Sequence, residues 1–312
     1  MANIGVRSPY FIYYTESGAS YATLTLTVGT EDPYIITKST GEEFLMDIAE
    51  LVRDFINPNY SGSFINSTAD TKSVTYSLQF YDSEDATVGT AKTGSYVAFD
   101  AYNYFYEGNT ANTGANDSGF VIPTLKVLLS EDVVWYPQDT IGTFFVTNAT
   151  TGLGTPTSFS SSATEHSGIT IKRLECSKYD VYKLVFVNKF GVLQEMFFNG
   201  KINTSVGTSG EKYKSASVST NGAIDTNKHQ IVDYNKNAKL SYTLNTTFLS
   251  EEINSYIQEL IASEYVWLQK DSSIYPVNVT SSSVQYKTSL NDKLVSYTLE
   301  IEQANDLIST IR

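Results

Sequence analysis

The chain has 312 residues and a formal net charge of −13 at pH 7, with 41% hydrophobic and 18% charged residues. The hydrophobic fraction is too high for a disordered chain. The acidic excess argues against a protein that grips nucleic acid by neutralising phosphates, although it is compatible with an acidic wall along which a polyanion slides. The 23 tyrosines, together with Thr, Val and Ile, favour pleated, half-buried strands.

The single cysteine, Cys176, cannot form an internal disulfide. Because proteins of oxidising compartments at this size often use several disulfides, we expect assembly in a cytoplasm. No apolar run approaches the roughly 20 residues of a membrane span. Residues 1–7 lack the apolar stretch of a signal peptide. The sequence therefore predicts no membrane partner.

The first half is predicted to form strands and one helix. Residues 24–28 and 74–81 alternate apolar and polar side chains at the strand period. Apolar residues of the segment 43–56 recur at spacings of three and four, which predicts an amphipathic helix that ends before Pro58. An irregular strand is the alternative there, because the run is short and has no clear cap. Residues 96–106 are predicted as an aromatic-rich strand.

Three polar stretches interrupt these elements. Residues 151–167, rich in Gly, Ser and Thr, are predicted to link an N-terminal domain, 1–150, to a C-terminal domain, 168–312. Residues 200–227 are predicted as a loop with one candidate strand at 213–218. This loop and the one at 108–119 are long for a compact domain, so we expect both to reach neighbouring subunits.

The second half contains clearer signals for strands, turns and a helix. Residues 181–187 are almost all apolar, which predicts a strand buried on both faces. Residues 188–191 are predicted as a tight turn, with Gly191 in the left-handed conformation. Ser250 is predicted to cap a helix at 250–263 whose apolar residues form one stripe.

Both halves thus combine many strands with a single helix. The predicted class is mostly β, with two β-sandwich-like domains that each carry one packed α-helix. The helix of the first domain is placed at about 43–56 and that of the second at about 250–263.

The chain shows no catalytic or metal-binding signature. His166 and His229 are its only histidines, and both fall in polar segments without an orienting carboxylate. Zinc motifs and Gly-rich phosphate loops are absent from the sequence, and Cys176 is expected to be a buried, inert thiol. We expect no enzyme activity, no cofactor, and no catalytic, cofactor-binding or metal-binding residues.

Two groups of carboxylates could in principle serve a glycosidase. Asp82, Glu84 and Asp85 are predicted to lie in a hairpin turn. Glu251 and Glu252 are predicted at a helix N-terminus, where negative charge is favoured. A surface calcium ion at the Asp82 turn or at residues 109–118 is an alternative, although neither segment matches the spacing of an EF-hand.

Tyrosines are the residues that the sequence marks for association. Tyr102, Tyr104, Tyr106 and Tyr213 are predicted at an oligomer interface, because tyrosine buries much area and keeps a polar tip. For the rings of residues 96–106, core packing and a sugar-binding platform are the alternatives.

Three segments resemble virion structural proteins of tailed bacteriophages, especially those of crAss-like phages. They are RSPYFI at 7–12, DIAELVRDFI at 47–56 and LVFVNKFG at 184–191. Towards the C-terminus, FLSEE at 248–252, SEYVWL at 263–268, YPV at 275–277 and YTLEIE at 297–302 look similar to proteins of the neck and tail.

The resemblance implies a non-catalytic structural subunit that forms a cyclic homo-oligomer in the portal–tail assembly. Its partners would be copies of itself and other neck or tail proteins, in a virion assembled in the host bacterial cytoplasm. The resemblance transfers no functional residues. The acidic balance fits a DNA conduit wall or an outer position, without sequence-specific nucleic acid binding. A receptor-binding or glycan-binding tail or fibre adhesin is the alternative.

Overall fold

The computed structural model describes residues 2–64, 71–108, 116–122, 127–148, 151–174, 178–218, 221–281, 285 and 294–307. The protein is mostly β, with several sheets arranged as in β-sandwiches and two α-helices among these residues, which confirms the predicted class. No helix in the described ranges has the length and apolar character needed to cross a membrane.

The elements follow one another along the chain without a repeat. The strands are β1 (Ala2–Gly5), β2 (Tyr10–Thr15), β3 (Tyr21–Val28), β4 (Tyr34–Ser39), β5 (Glu43–Asp47), β6 (Thr71–Tyr81), β7 (Thr87–Phe99), β8 (Asp117–Gly119), β9 (Val121–Ile122), β10 (Val133–Pro137), β11 (Gly142–Thr147), β12 (Gly154–Phe159), β13 (Glu165–His166), β14 (Ile169–Leu174), β15 (Tyr182–Val187), β16 (Leu193–Phe198), β17 (Asn203–Lys214), β18 (Ile231–Asn245), β19 (Leu249–Ser250), β20 (Val266–Lys270), β21 (Ser273–Val279), β22 (Leu294–Val295) and β23 (Thr298–Gln303). The helices are α1 (Ala49–Arg53) and α2 (Ile253–Ala262), and Phe105–Glu107 forms a 3-10 turn.

Two sheets pack face to face in the N-terminal part. A six-stranded sheet has the order β4-β3-β6-β7-β1-β9, and a three-stranded sheet has the order β5-β2-β8. Their shared core includes Leu24 and Leu78 from the larger sheet and Ile12 and Phe44 from the smaller one, all fully buried. The predicted alternation is confirmed, since every second residue of β3 is buried.

The helix predicted at 43–56 is wrong in its first part. Residues 43–47 form β5, which pairs antiparallel with β2, and only Ala49–Arg53 are helical. The apolar spacing arose because a strand that buries Phe44 is followed directly by a turn of helix that buries Val52. The Asp47 carboxylate accepts hydrogen bonds from the backbone N–H groups of Ala49 and Tyr10, which fixes this junction.

The segment predicted as a linker, 151–167, contains folded strands. β12 pairs along its whole length with β11, and β13 pairs with β14. These elements enclose a small core of their own, to which Phe144, Phe159 and Ile171 belong. The polar side chains and Pro156 of β12 gave no strand pattern in the sequence. Proline is nevertheless tolerated on an edge strand, because one side of that strand's backbone needs no hydrogen-bond partner. The domain limits 1–150 and 168–312 stay a prediction.

A seven-stranded sheet, in the order β16-β15-β20-β21-β23-β18-β17, forms the C-terminal part. Leu184 and Phe186 of β15 face a core that α2 covers. Val185 and Val187 of the same strand face the opposite core, so the strand is buried on both faces as predicted. α2 begins at Ile253, whereas Ser250 belongs to β19 and accepts a hydrogen bond from Lys172; the predicted cap is therefore wrong.

Two further strand predictions need correction. β7 ends at Phe99, and residues 101–108 are irregular apart from the 3-10 turn, so the aromatic strand does not extend to 106. The predicted loop 200–227 instead begins with β17, which runs from Asn203 to Lys214. Cys176 and residues 109–115 lie outside the described residues.

The two parts of the chain meet at the tight turn between β15 and β16. The fully buried Asn188 side chain accepts hydrogen bonds from the N–H groups of Phe190 and Val192 and donates to the Leu128 carbonyl. Gly191 adopts a φ of 73°, as predicted. Its α-carbon lies so close to Asp100 that an added Cβ would approach the Asp100 backbone to 2.6 Å.

Substituting Gly191 with alanine is expected to destabilise the protein by about 3 kcal/mol, because the left-handed conformation costs about 1 kcal/mol and the contact with Asp100 adds a backbone clash. Gly168→Ala is the matched control, since Gly168 has a φ of 82° with nothing within 4 Å of an added Cβ. Denaturant unfolding of both variants measures the difference. Equal losses at the two positions would show that the turn does not dock on Asp100.

Candidate assembly surfaces

The two histidines of the chain lie in different surroundings. His166 forms a 2.9 Å hydrogen bond with the Thr157 hydroxyl, and its ring packs 5.7 Å from that of Phe144. His229 lies exposed between the strands β17 and β18. Within the described ranges, no three His, Cys, Asp or Glu side chains gather closely enough to hold a metal ion.

The Asp82 turn uses its carboxylates to close the hairpin between β6 and β7. The Asp82 side chain accepts hydrogen bonds from the N–H groups of Glu84, at 2.8 Å, and Ala86, at 2.9 Å. Asp85 has a φ of 64° and accepts a hydrogen bond from the Tyr21 hydroxyl. The acidic segment thus forms a hairpin turn, as the sequence predicts, and the side chains of Asp82 and Asp85 stabilise it.

A second carboxylate, Asp117 of β8, is surrounded by tyrosines that sequence reasoning did not connect. The hydroxyls of Tyr76 and Tyr96 both donate to it, and Tyr14 shares a 2.8 Å hydrogen bond with Tyr76. Burial raises the pKa of the neighbouring Tyr10 to about 12. Because both donors to Asp117 come from the larger sheet, whereas Asp117 and Tyr14 belong to the smaller one, this cluster joins the two sheets of the sandwich.

The predicted interface tyrosines of the first half form a stack with different exposures. Tyr102 and Tyr104 are half-buried with ring centroids 5.4 Å apart, and Tyr104 stacks on Tyr106 at 5.5 Å. Burial raises the pKa of Tyr102 to about 12. Only Tyr106 is exposed, together with Phe105, whose side chain is fully in solvent. Phe105 was missed because the predicted interface was restricted to tyrosines.

Tyr213, the fourth predicted interface residue, lies on a projecting hairpin. We call residues 203–245, which comprise β17, β18 and their connection, the arm. β23 pairs with β18 only from Ser241 to Asn245, and in the described part of the chain no strand other than β17 pairs with residues 231–240. At about 3.3 Å per residue this outer part extends about 30 Å.

The arm is exposed on both of its faces near its tip, whereas Ala238 and Leu244 of β18 are buried. All of β17 is exposed, and so are nearly all residues of β18 from Ile231 to Tyr234. Its exposed side chains include large apolar ones, namely Val206, Tyr213, Val218, Ile224, Ile231 and Tyr234. Monomeric proteins rarely leave such a run of apolar side chains in water. The arm is therefore the strongest candidate for an assembly surface.

Arg7 and Asp100 form a buried ion pair where the N-terminal and C-terminal parts of the chain meet. Arg7 makes two hydrogen bonds of 2.7 Å to Asp100, whose side chain is 2% exposed. Burial alone would lower the pKa of Arg7, but the hydrogen-bonded Asp100 carboxylate outweighs it and raises the pKa. Glu264 of the C-terminal part binds both Arg7, at 3.2 Å, and Arg53, at 2.8 Å.

This ion pair borders an open cleft of about 530 Å³, which is also lined by Glu50, Asp54 and Tyr265. Carboxylates outnumber the two arginines there, so the cleft does not suit an anionic ligand. Its arginines instead join α1 and the segment that follows β1 to the segment after α2, and the site holds the two parts of the chain together.

Glu259 of α2 is a second buried carboxylate at the same junction. It accepts hydrogen bonds from the Ser130 hydroxyl and from the Lys189 N–H, the latter at 3.2 Å. Lys189 in turn pairs with Glu107 at 3.1 Å. Burial raises the pKa of Glu259 to about 7, with Glu107 adding to the effect and the hydrogen bonds opposing it.

Comparison of the chain with protein-family models, with curated proteins and with solved structures finds no match.

The raised pKa of Glu259 predicts a pH dependence of stability. A carboxyl whose pKa is higher in the folded state binds its proton more tightly there, so its stabilising effect is full below the unfolded pKa of about 4.5 and is lost as the pH rises to about 7. Glu259→Gln removes this loss. The variant is expected to gain about 2 kcal/mol over the wild type at pH 8 and little at pH 5.

Denaturant unfolding of both proteins between pH 5 and pH 8 measures this difference. Glu165→Gln, at an exposed position of β13, serves as the control and is expected to keep the wild-type profile. A constant difference between Glu259→Gln and wild type across the range would contradict the assignment.

Proposed function

We propose that the chain is a non-catalytic structural subunit of a bacteriophage virion, which assembles with copies of itself into a closed ring of the neck or tail. Other neck or tail proteins would be its neighbours. The proposal combines a structural argument, for self-assembly, with a sequence argument, for the virion.

The arm carries the structural argument. An isolated two-stranded hairpin is marginally stable in water, and this one exposes apolar side chains such as Tyr213 and Ile224 on a span that no further strand supports in the described residues. A partner that covers the arm would stabilise the hairpin and bury its apolar side chains. An arm that docks on the body of another copy makes a head-to-tail contact, and repeated head-to-tail contacts close into a ring when the rotation permits.

The sequence argument rests on the segments that resemble phage virion proteins. Arg7 of the first segment and Arg53 of the second both contact Glu264, which belongs to one of the C-terminal segments. The turn at the end of the third segment lies against Asp100, the partner of Arg7. Four of the seven resembling segments thus meet at one junction and build a shared piece of the fold.

The alternative, a glycan-binding adhesin, is favoured by one surface feature. The rings of Tyr21 and Tyr81 stack at 5.0 Å, and with Asp85 they line a shallow depression at the edge of the larger N-terminal sheet. Aromatic faces beside a carboxylate suit a sugar ring and its hydroxyls. The ring proposal is preferred because β17 of the arm is exposed along its whole length with large apolar side chains, whereas this depression is shallow and lined mostly by polar residues.

The ring proposal predicts discrete oligomers of the purified chain. Negative-stain electron microscopy is expected to show closed rings of one size, and sedimentation velocity a single species many times the 34.5 kDa of the monomer. A stable monomer at high protein concentration would contradict the proposal. Binding in a glycan screen that is lost in Tyr81→Ala, without any ring, would favour the adhesin instead.

A further inference from the structure

We infer that the arm docks on a second copy of this chain, with its lysine-bearing face against carboxylates on the body of that copy. The inference rests on the proposed function and deepens it, since it names the contact through which the copies would associate.

The pairing of the arm strands separates its outer part into two chemically different faces. Tyr213 lies opposite Val232, and its ring is 5.6 Å from that of Tyr234, so one face carries aromatic and apolar side chains beside a single carboxylate, Glu211. Lys212 and Lys214 point to the other face, because side chains alternate along a strand. A hairpin of this kind can present apolar area and positive charge to its surroundings at the same time.

The charge of the arm is opposite to that of the body. Residues 203–245 contain five lysines and three carboxylates, so the arm carries +2, while the rest of this chain of net charge −13 carries −15. Opposite charges on two surfaces of the same molecule attract copies head-to-tail and disfavour contacts between like surfaces, arm with arm or body with body. The occupant that best matches the arm is therefore another copy.

Nucleic acid matches the arm less well. Asp233 pairs with Lys236 at 2.7 Å and with Lys212 at 3.8 Å, which neutralises part of the positive charge within the arm. Asp225 lies 3.9 Å from Lys228 near the tip. The acidic body, at −15, would also repel a polyanion that approached the arm, and the excess of +2 on the arm is too small to offset this repulsion.

Reversing the charge of the lysine face tests the inference. Lys212→Glu/Lys214→Glu is expected to weaken assembly of the full chain by about tenfold or more, measured by sedimentation velocity over a dilution series. The matched control, Lys178→Glu/Lys201→Glu, makes the same charge change at exposed positions outside the two arm strands and is expected to change assembly by less than about twofold. Circular dichroism checks that both variants remain folded.

Carbodiimide cross-linking of mixed ¹⁴N-labelled and ¹⁵N-labelled wild-type chains gives an independent readout. Lysines of the arm in one isotope are expected to be joined to body carboxylates of the other isotope. Arm lysines that cross-link only within one chain would overturn the inference, as would a mobility shift of duplex DNA that depends on Lys212 and Lys214.

The two proposals fail in different ways. A wild-type chain that stays monomeric contradicts the ring itself. A wild-type ring that persists unchanged in Lys212→Glu/Lys214→Glu leaves the ring in place and overturns only the arm contact.

Discussion

Asp100 lies almost completely buried between Arg7 of the first strand region and the turn that joins β15 to β16. A carboxylate in such a position must be paired, because an uncompensated buried charge costs about 3–5 kcal/mol, a large part of the 5–15 kcal/mol that stabilises a typical domain. The pairing therefore fixes more than one contact. It requires β1 to sit beside β7, and it holds the Asp100 backbone where Gly191 can approach it.

The same junction joins the remaining cores. Phe99 and Ile122 of the N-terminal part share a core with Val185, Phe190 and Trp267 of the C-terminal part. Asn188 links this core to the segment before β10 through the Leu128 carbonyl, and Glu259 links it to α2. Packed side chains and satisfied buried polar groups thus act together, and the sheets on either side are held in one arrangement from which the arm projects.

Local signals in the sequence predicted the elements that local forces determine. The apolar run of β15 and the glycine of its turn needed no knowledge of distant residues. The first part of the segment 43–56 was predicted wrongly because pairing of β5 with β2, 28 to 36 residues away in the sequence, overrides helical spacing. β17 was taken mostly for a loop since a strand with both faces in water shows no alternation of apolar residues, and its existence depends on β18.

The candidate site was predictable only in part, for a related reason. Tyrosine content pointed to Tyr213, which the structure places on the arm, and to Tyr106, which is exposed. Tyr102 and Tyr104 are instead half-buried in the chain's own aromatic stack. The sequence alone did not show that five lysines lie on one projecting hairpin. They could be grouped only once the pairing of β17 with β18 was known.

The position of β23 has a consequence for the order in which this molecule can be completed. β23 lies between β21 and β18, so it is the strand through which β18, and with it the arm, is hydrogen-bonded to the rest of the sheet. During synthesis, β17 and β18 can form their local hairpin early, but they have no neighbour in the sheet until Thr298–Gln303 leave the ribosome. A nascent chain therefore holds its arm untethered from the synthesis of β18 until β23 has emerged, and the rigid form that meets another molecule arises only after the body has closed.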